Sequence, residues 1–386
     1  MTTATYPKTN AAAPSVMVET VSSVRQFEAL GDEWNDLLRA SDSDCLFLTW
    51  EWLYTWWKHL AEDRELSILA ARHEGKLVAL APVALRPANL LRRRPLPAME
   101  FLGSGYVGSD YLDLIVRRGY EASAQQAFAG AFSRAGVVLE WTQLRLENCF
   151  APAVASCLAG KGWSFTETPT NTCPFITISG MSWEEYLATL GAEHRYNFHR
   201  KWRRINRDYR VVFERVERGD QCRESIDMLI GLHNLRWRER GGSDAFHAEG
   251  LIAFHREFSR IACERGWLRL YVLRLNDTPV ASLYGFRYGR TFYFYQSGFD
   301  PAYRKLSAGL VTMGLGIRSA IEEGADEYDL LHGDEDYKAH WSSESRELNR
   351  LEVYPPGAAG RICQRAAHLE RSARKLARRA LTRIAE

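Results

Sequence analysis

At 386 residues the chain is long for one core, and two domains are expected. Hydrophobic residues make up 46% and charged residues 25%, as in ordinary soluble globular proteins, and a formal net charge of +2 argues against generic nucleic-acid binding by the whole chain. The seven cysteines are odd in number, scattered and without a Cys-x-x-Cys pair, which speaks against a disulfide framework or a zinc site and fits a reducing cytoplasm.

Residues 1–15 are polar and rich in Ala, Thr and Pro, with no apolar core of a signal peptide, and are expected to be disordered. A short strand at 16–20 precedes an amphipathic helix over 24–40, carrying Phe27, Leu30, Trp34, Leu37 and Leu38. A second helix, 49–60, is crowded with Trp50, Trp52, Trp56 and Trp57, either as core or as a surface for stacking an acceptor. The apolar run 45–57 is too short to span a membrane and is interrupted by Glu51. Strands at 66–72 and 77–85 alternate around the turn His73-Glu-Gly-Lys76. The loop 86–97, with Arg92, Arg93 and Arg94, reads as solvated. Next come a strand at 111–116, a helix at 120–135, a strand at 138–146, a helix at 152–161 and a strand ending near 178.

From 183 the pattern restarts with a helix to 190 and a basic segment, 193–210, in which Arg and Lys alternate with Tyr196, Phe198 and Trp202. A strand at 211–216, helices at 223–240 and 251–265, and a hairpin of 268–275 and 278–288 follow. The two hairpins look like copies, since Arg72 and Arg274, Val78 and Val280, and Ala79 and Ala281 each stand 202 positions apart. Two tandem units are expected, 16–178 and 179–356, followed by a segment 357–386. Its helix, 361–386, carries eight Lys or Arg against Glu370 and Glu386, with an apolar stripe at helical spacing. Such a helix either lies on anionic lipid or docks on the domain with a solvated basic face.

The most informative stretch is 290–341. A strand at 291–296 and the turn Ser297-Gly-Phe-Asp-Pro301 lead to Arg304-Lys-Leu-Ser-Ala-Gly309, which runs into a helical pattern at 310–323. A second strand, 327–331, ends in His332-Gly-Asp-Glu-Asp-Tyr-Lys338. A strand, a turn of small residues and a helix start make an anion site: free N–H groups and the positive end of the helix converge, and Arg304 and Lys305 add charge. Asp300 before Pro301 reads as a cap of the loop.

The pattern Arg304-x-x-Ser307-x-Gly309 resembles the pyrophosphate loop of the GNAT acyltransferase superfamily, with Ser in place of the first Gly. The longer string, with Gln-Ser-Gly-Phe-Asp-Pro and Gly-Asp-Glu-x-Tyr-Lys, resembles the CelD-like (BcsL-type) acetyltransferases of bacterial cellulose and exopolysaccharide synthesis, which are akin to the FemAB peptidyl transferases. The resemblance implies an α/β (α+β) fold of tandem GNAT-like domains with mixed central sheets. It implies acyl-CoA, typically acetyl-CoA, as donor, held by Arg304, Lys305, Leu306, Ser307, Ala308 and Gly309. It implies an enzyme acting on an amine or hydroxyl of a small-molecule or sugar- or lipid-linked envelope precursor; the cysteine usage and the helix 361–386 make the expected location cytoplasmic or membrane-peripheral. The first unit, which lacks the loop, becomes the support.

The position of 332–338 past a strand beside the anion-binding helix offers Asp334 or Glu335 as the base, if burial raises its pKa, and the resemblance offers Tyr337 as the acid for the leaving thiolate. Lys338 would anchor an acidic acceptor or pair with a carboxylate. The alternative is a structural turn laced with salt bridges. Leu232-His-Asn-Leu-Arg-Trp237 resembles a CelD-like helix element, placing His233, Arg236 and Trp237 at the acceptor cleft or in the packing. Two rivals stand beside this reading. A FemAB-like aminoacyl transferase would grip charged tRNA with the basic segment 193–210. A catalytically silent GNAT-like subunit of a polysaccharide synthase would do no chemistry. No metal site is expected.

Overall fold

The computed structural model describes residues 15–89, 94–238, 246–333 and 335–385, with side chains up to 373. The expected disorder of the N-terminus (through residue 14), Arg92, Arg93, the candidate base Asp334 and the basic side chains beyond 373 lie outside the described residues.

The first half runs β1 (Met17–Val21), α1 (Val24–Ala29), α2 (Gly31–Arg39), α3 (Trp50–Leu60), β2 (Glu65–Leu66), β3 (Ile68–His73), β4 (Lys76–Ala81), β5 (Val83–Arg86), β6 (Ala98–Phe101), β7 (Ile115–Val116), α4 (Glu121–Ala135), β8 (Val138–Leu144), α5 (Ala151–Ala159) and β9 (Ser164–Thr177). The second half runs α6 (Trp183–Thr189), α7 (Ala192–Asp208), β10 (Val211–Arg215), α8 (Gly219–Trp237), α9 (Glu249–Glu264), β11 (Leu268–Leu275), β12 (Thr278–Tyr288), β13 (Thr291–Phe299), α10 (Ala308–Glu322), β14 (Glu327–Asp329), β15 (Glu344–Tyr354) and α11 (Ala358–Ala385). The helix expected over 24–40 is two helices that meet at Leu30.

The internal repeat is real down to single bonds. In β3–β4, Ala71 pairs with Ala79, and the register then slips so that Arg72 faces Leu77. In β11–β12, Leu273 pairs with Ala281, and the same slip puts Arg274 opposite Pro279. Both turns use two left-handed residues, Glu74 and Gly75 in one copy and Asn276 and Asp277 in the other. Arg72 Nε donates to Glu19 at 2.8 Å, and its guanidinium also reaches the turn carbonyl of Gly75. Arg274 Nε donates to Glu214 at 2.6 Å and reaches the carbonyl of Asp277. The copies part company further along. Pro82, which has no N–H to give a ladder, separates β4 from β5, whereas β12 continues through a bulge at Tyr284 and Gly285.

Each half also contains one parallel pair joined across a helix: β6 and β8 around α4, and β13 and β14 around α10. The last strand of each half then crosses to the other. Strand β9 lies against β14, and β15 lies against β8, while β9 and β15 pair with each other over 11 residues. Among the described residues this yields a mixed sheet of 11 strands, β10-β11-β12-β13-β14-β9-β15-β8-β6-β5-β2, and a small sheet of four, β1-β3-β4-β7. The chain is therefore a tandem repeat of one α/β unit around a mixed central sheet.

The aromatic crowd on α3 serves as core. Trp52 is buried edge-on against Phe254 and Phe258 of α9, so it welds the two halves together. The start of α11 docks through buried Cys363 against Ala98, Val138 and Tyr354, and an Arg371–Glu352 ion pair secures it. Its outer side leaves Ile362 and Leu369 exposed, at 50% and 60%. No helix among the described residues is long and apolar enough to cross a membrane.

Candidate active site

The site forms where the parallel strands part. Strands β13 and β14 pair only from Thr291–Glu327 to Tyr293–Asp329. Beyond that, β13 runs on to Phe299 and the chain after Asp329 turns away, opening a wedge. Within β13 the register against β12 jumps from Phe294–Gly285 to Gln296–Tyr284, leaving Tyr295 as an extra, unopposed residue. A bulge of this kind takes backbone groups out of the ladder and aims them elsewhere.

After β13, the Asp300 side chain accepts from the Ala302 N–H at 2.9 Å, capping a 3-10 turn over Pro301–Leu306, as expected of Asp before Pro. Ser307 then adopts a left-handed conformation, φ 57° and ψ 46°, and α10 begins. The N–H groups of Ala308, Gly309 and Leu310 precede the first intrahelical bond, from Val311 to Ser307. A Cβ on Gly309 would sit 3.2 Å from the Phe299 ring, so the helix start lies close on the strand end. Because a left-handed serine is strained by about 1 kcal/mol relative to glycine, Ser307→Gly is expected to raise stability by about that amount in urea denaturation. A loss of stability instead would mean that the hydroxyl holds the turn.

A cavity of about 170 Å³ lies at this helix start. Its apolar wall is Phe299, Leu310, Met313 and Trp341, and its polar rim includes Arg236, Ser297 and Tyr337. The Arg236 guanidinium lies over the rings of Trp237, Phe299 and Tyr337 at 5.3, 5.3 and 5.7 Å. His194 of α7 also lines it, with Nε2 buried and without a hydrogen-bond partner among the described residues.

The residues expected at the site separate in space. Arg236 and Tyr337 face the cavity, and Trp237 packs beside Arg236. His233 is fully buried behind it, donating from Nδ1 to the Ser297 carbonyl at 3.1 Å. Burial holds that imidazole neutral by lowering its pKa to about 4. Tyr337 keeps its proton, because burial and then the Glu335 charge raise the phenol well above its usual value. Glu335, expected to be desolvated beside Leu330 and Leu331, is instead 40% exposed and paired with Lys338 at 2.9 Å. Lys338, for which the sequence leaves both anchoring an acceptor and pairing with a carboxylate open, is buried, takes the second role with Glu335, and donates to the carbonyls of Leu331 and His332 at 3.3 and 2.8 Å. It is a clamp on the turn. Gly333 is obligatory there, with φ 136° and no room for a Cβ beside Lys338 and Glu335.

One pair was not singled out from the sequence. His332 Nδ1 lies 2.7 Å from Asp110 Oδ1, and the His332 backbone N–H donates to the other carboxylate oxygen at 2.9 Å. Beside it, the Tyr111 hydroxyl donates to Asp329 at 2.7 Å. Asp110 and Tyr111 come from the first half, at the end of Gly103-Ser-Gly-Tyr-Val-Gly-Ser-Asp110. The left-handed glycines 103, 105 and 108 of that run were the available signal of a special loop. In the first half, the turn before α4 is closed by Glu121 of the helix's own first turn, whose carboxylate accepts from the Gly119 N–H at 2.9 Å.

Residues 192–339 match the family described as Acetyltransferase (GNAT) domain. No curated protein matches the sequence. The fold is similar to the crystal structure of FemX, with a TM-score of 0.57 at 12% identity, over 83% of this chain and 95% of that one. It is similar to a conserved protein of unknown function from Bacteroides thetaiotaomicron, with a TM-score of 0.55 at 12% identity, over 87% and 99%. It is also similar to the C-terminal domain of a protein named as a lysylphosphatidylglycerol synthetase from Agrobacterium fabrum, with a TM-score of 0.52 at 13% identity, over 89% and 96%. Residues 192–339 are thus a GNAT-type acyltransferase domain, set in the second copy of a repeated α/β unit.

Proposed function

We propose that the protein transfers an acyl group from acyl-CoA, bound across the start of α10, to an amine or hydroxyl of a cell-envelope or exopolysaccharide precursor. The observation that carries this is the left-handed turn at Ser307, after which α10 begins with Gly309 and Leu310 on the wall of an apolar-walled cavity between β13 and the 337–341 turn. That arrangement suits a pyrophosphate followed by a thin, mostly apolar arm. Arg304 and Lys305 stand exposed beside it. In this reading the Tyr295 bulge polarises the thioester carbonyl and Tyr337 gives the leaving thiolate its proton. Arg236 keeps the Tyr337 and Phe299 rings in place, and Lys338 with Glu335 holds the turn that carries Tyr337. The CelD-like motif supports the choice of acceptor. The exposed Ile362 and Leu369 of α11, beside Arg361 and Arg365, suit contact with an anionic membrane where such precursors are assembled.

A FemAB-like reading, with charged tRNA as donor, draws on one specific feature. Helix α7 carries six Lys or Arg, and its Lys201 donates to the Lys305 carbonyl at 2.9 Å, so its basic face adjoins the donor turn. Thermal shift and calorimetry with acetyl-CoA, longer acyl-CoAs and tRNA decide between them. Acetyl-CoA at 100 times its Kd is expected to stabilise the protein by about 2.7 kcal/mol. Stabilisation by tRNA alone would overturn the acyl-CoA reading.

A further inference from the structure

We propose that His332, held by Asp110 from the other half of the chain, is the general base of this transfer, so that both halves build one catalytic centre. The inference rests on the acyl-transfer reading above and adds to it the group that accepts the acceptor's proton.

The geometry is that of an oriented imidazole. Asp110 is fully buried, while the His332 side chain is 35% exposed. One carboxylate oxygen takes Nδ1 and the other takes the His332 backbone N–H, so ring and main chain are both fixed. Asp110 is itself positioned by Gln143, which donates to it at 2.7 Å. With Nδ1 engaged, Nε2 is the nitrogen left to take a proton, and it has no hydrogen-bond partner among the described residues. A carboxylate behind Nδ1 fixes the tautomer whose Nε2 accepts a proton and stabilises the imidazolium that results.

The ring is also in the right place. The position a Cβ on Gly108 would occupy lies 3.5 Å from His332 Cε1 and 3.6 Å from the Tyr295 hydroxyl. Tyr295 is the bulged residue of β13, and Ser297, two residues on, lines the donor cavity. The imidazole and the side chain of the bulged Tyr295 thus meet at Gly108, two residues along β13 from a residue of the donor cavity, and glycine at 108 leaves the approach to the imidazole open.

The step balances. The acceptor's nitrogen or oxygen forms a bond to the thioester carbonyl carbon and gives its proton to His332 Nε2. The carbon–sulfur bond breaks, and the thiolate takes a proton from Tyr337. The imidazolium returns its proton through water to the Tyr337 phenolate. The groups facing His332 are Asp110, the ammonium of Lys338 on its own carbonyl, Glu335 paired to that ammonium, and the Tyr295 phenol. Asp110 dominates and raises the imidazole pKa above its ordinary value, against desolvation and Lys338. Turnover should therefore rise with pH as this imidazole loses its proton. Removing the Asp110 charge should move that rise to lower pH.

The test is thiol release from acetyl-CoA in the presence of amine and hydroxyl acceptors, as a function of pH, for wild type, His332→Gln, His332→Ala and Asp110→Asn. His332→Gln is expected to lower kcat by ~10²–10⁴-fold, to abolish the pH-dependent rise, and to leave the acetyl-CoA Kd from calorimetry within about twofold. Asp110→Asn should lose less and shift the rise downward, and added imidazole should restore part of the activity of His332→Ala. If His332→Gln keeps the wild-type kcat and pH profile, the base lies elsewhere and the proposal is overturned, while the acyl-transfer reading stands. If wild type neither binds acetyl-CoA nor releases thiol, the acyl-transfer reading falls first and takes this one with it. Should His332→Gln melt well below wild type, an unshifted profile in Asp110→Asn is the overturning result.

Discussion

Replacing Gly298 with alanine is expected to destabilise the protein by about 3 kcal/mol or more and to abolish acyl transfer. A Cβ at this position would lie 2.4 Å from the backbone nitrogen of His233 and 2.7 Å from the carbonyl carbon of Leu232. Neither atom belongs to a side chain that can swing aside, so α8 must move as a body or the strand must bend. Overpacking that side chains can absorb costs ~1–3 kcal/mol, and a clash with a helix backbone exceeds that range. The displacement would also pull His233 off the Ser297 carbonyl and Arg236 away from the donor cavity. Gly231→Ala is the matched control. It lies inside the same helix, nothing is within 4 Å of its new methyl group, and it should stabilise by a few tenths to about 1 kcal/mol. Urea denaturation of the two variants reads the difference. A Gly298→Ala protein as stable as wild type would show that α8 does not bear on this strand.

Gly309→Glu should cut acetyl-CoA affinity more than tenfold, ~1.4 kcal/mol, in a protein that remains folded. Its Cβ would approach the Phe299 ring to 3.2 Å, a contact the ring can relieve by a small shift. The added carboxylate sits in the first turn of α10, where negative charge stabilises the helix itself by ~0.3–1 kcal/mol. Stability and affinity are therefore driven in opposite directions, which separates a lost site from a lost fold. Gly309→Ala brings the same ring contact without the charge and should bind nearly normally. Equal affinity for wild type and the Glu variant in calorimetry would remove this turn from the donor site.

The repeat and the anion turn were legible because both are local. A bulged hairpin needs small or left-handed residues at fixed offsets, and a helix start after a tight turn needs residues without bulk. The rest was hidden by contacts between distant positions. Strand β15 has no clean alternation, since its buried Arg346 is paired with Glu327 and its buried Glu352 with Arg350 and Arg371. Ion pairs inside the sheet erase the pattern that would announce a strand. Apolar Leu330 and Leu331 suggested a desolvated carboxylate nearby, but the left-handed Leu331 and Gly333 reverse the chain and put Glu335 outside. Asp110 and His332 stand 222 positions apart, and nothing periodic in either segment encodes their meeting.

The exchange of last strands between the halves has a consequence for how the protein is made. Strand β8 ends at Leu144, but the strand that covers its flank ends at Tyr354. At ~5–20 residues per second of translation, its hydrogen-bonding edge leaves the ribosome roughly 10–40 s before its partner exists. An uncovered edge on a nascent chain invites pairing with the same edge on a neighbouring polysome. During that interval the first half carries an unpaired strand edge, and separating the chain between the repeats is expected to leave each half without the last strand that the other supplies.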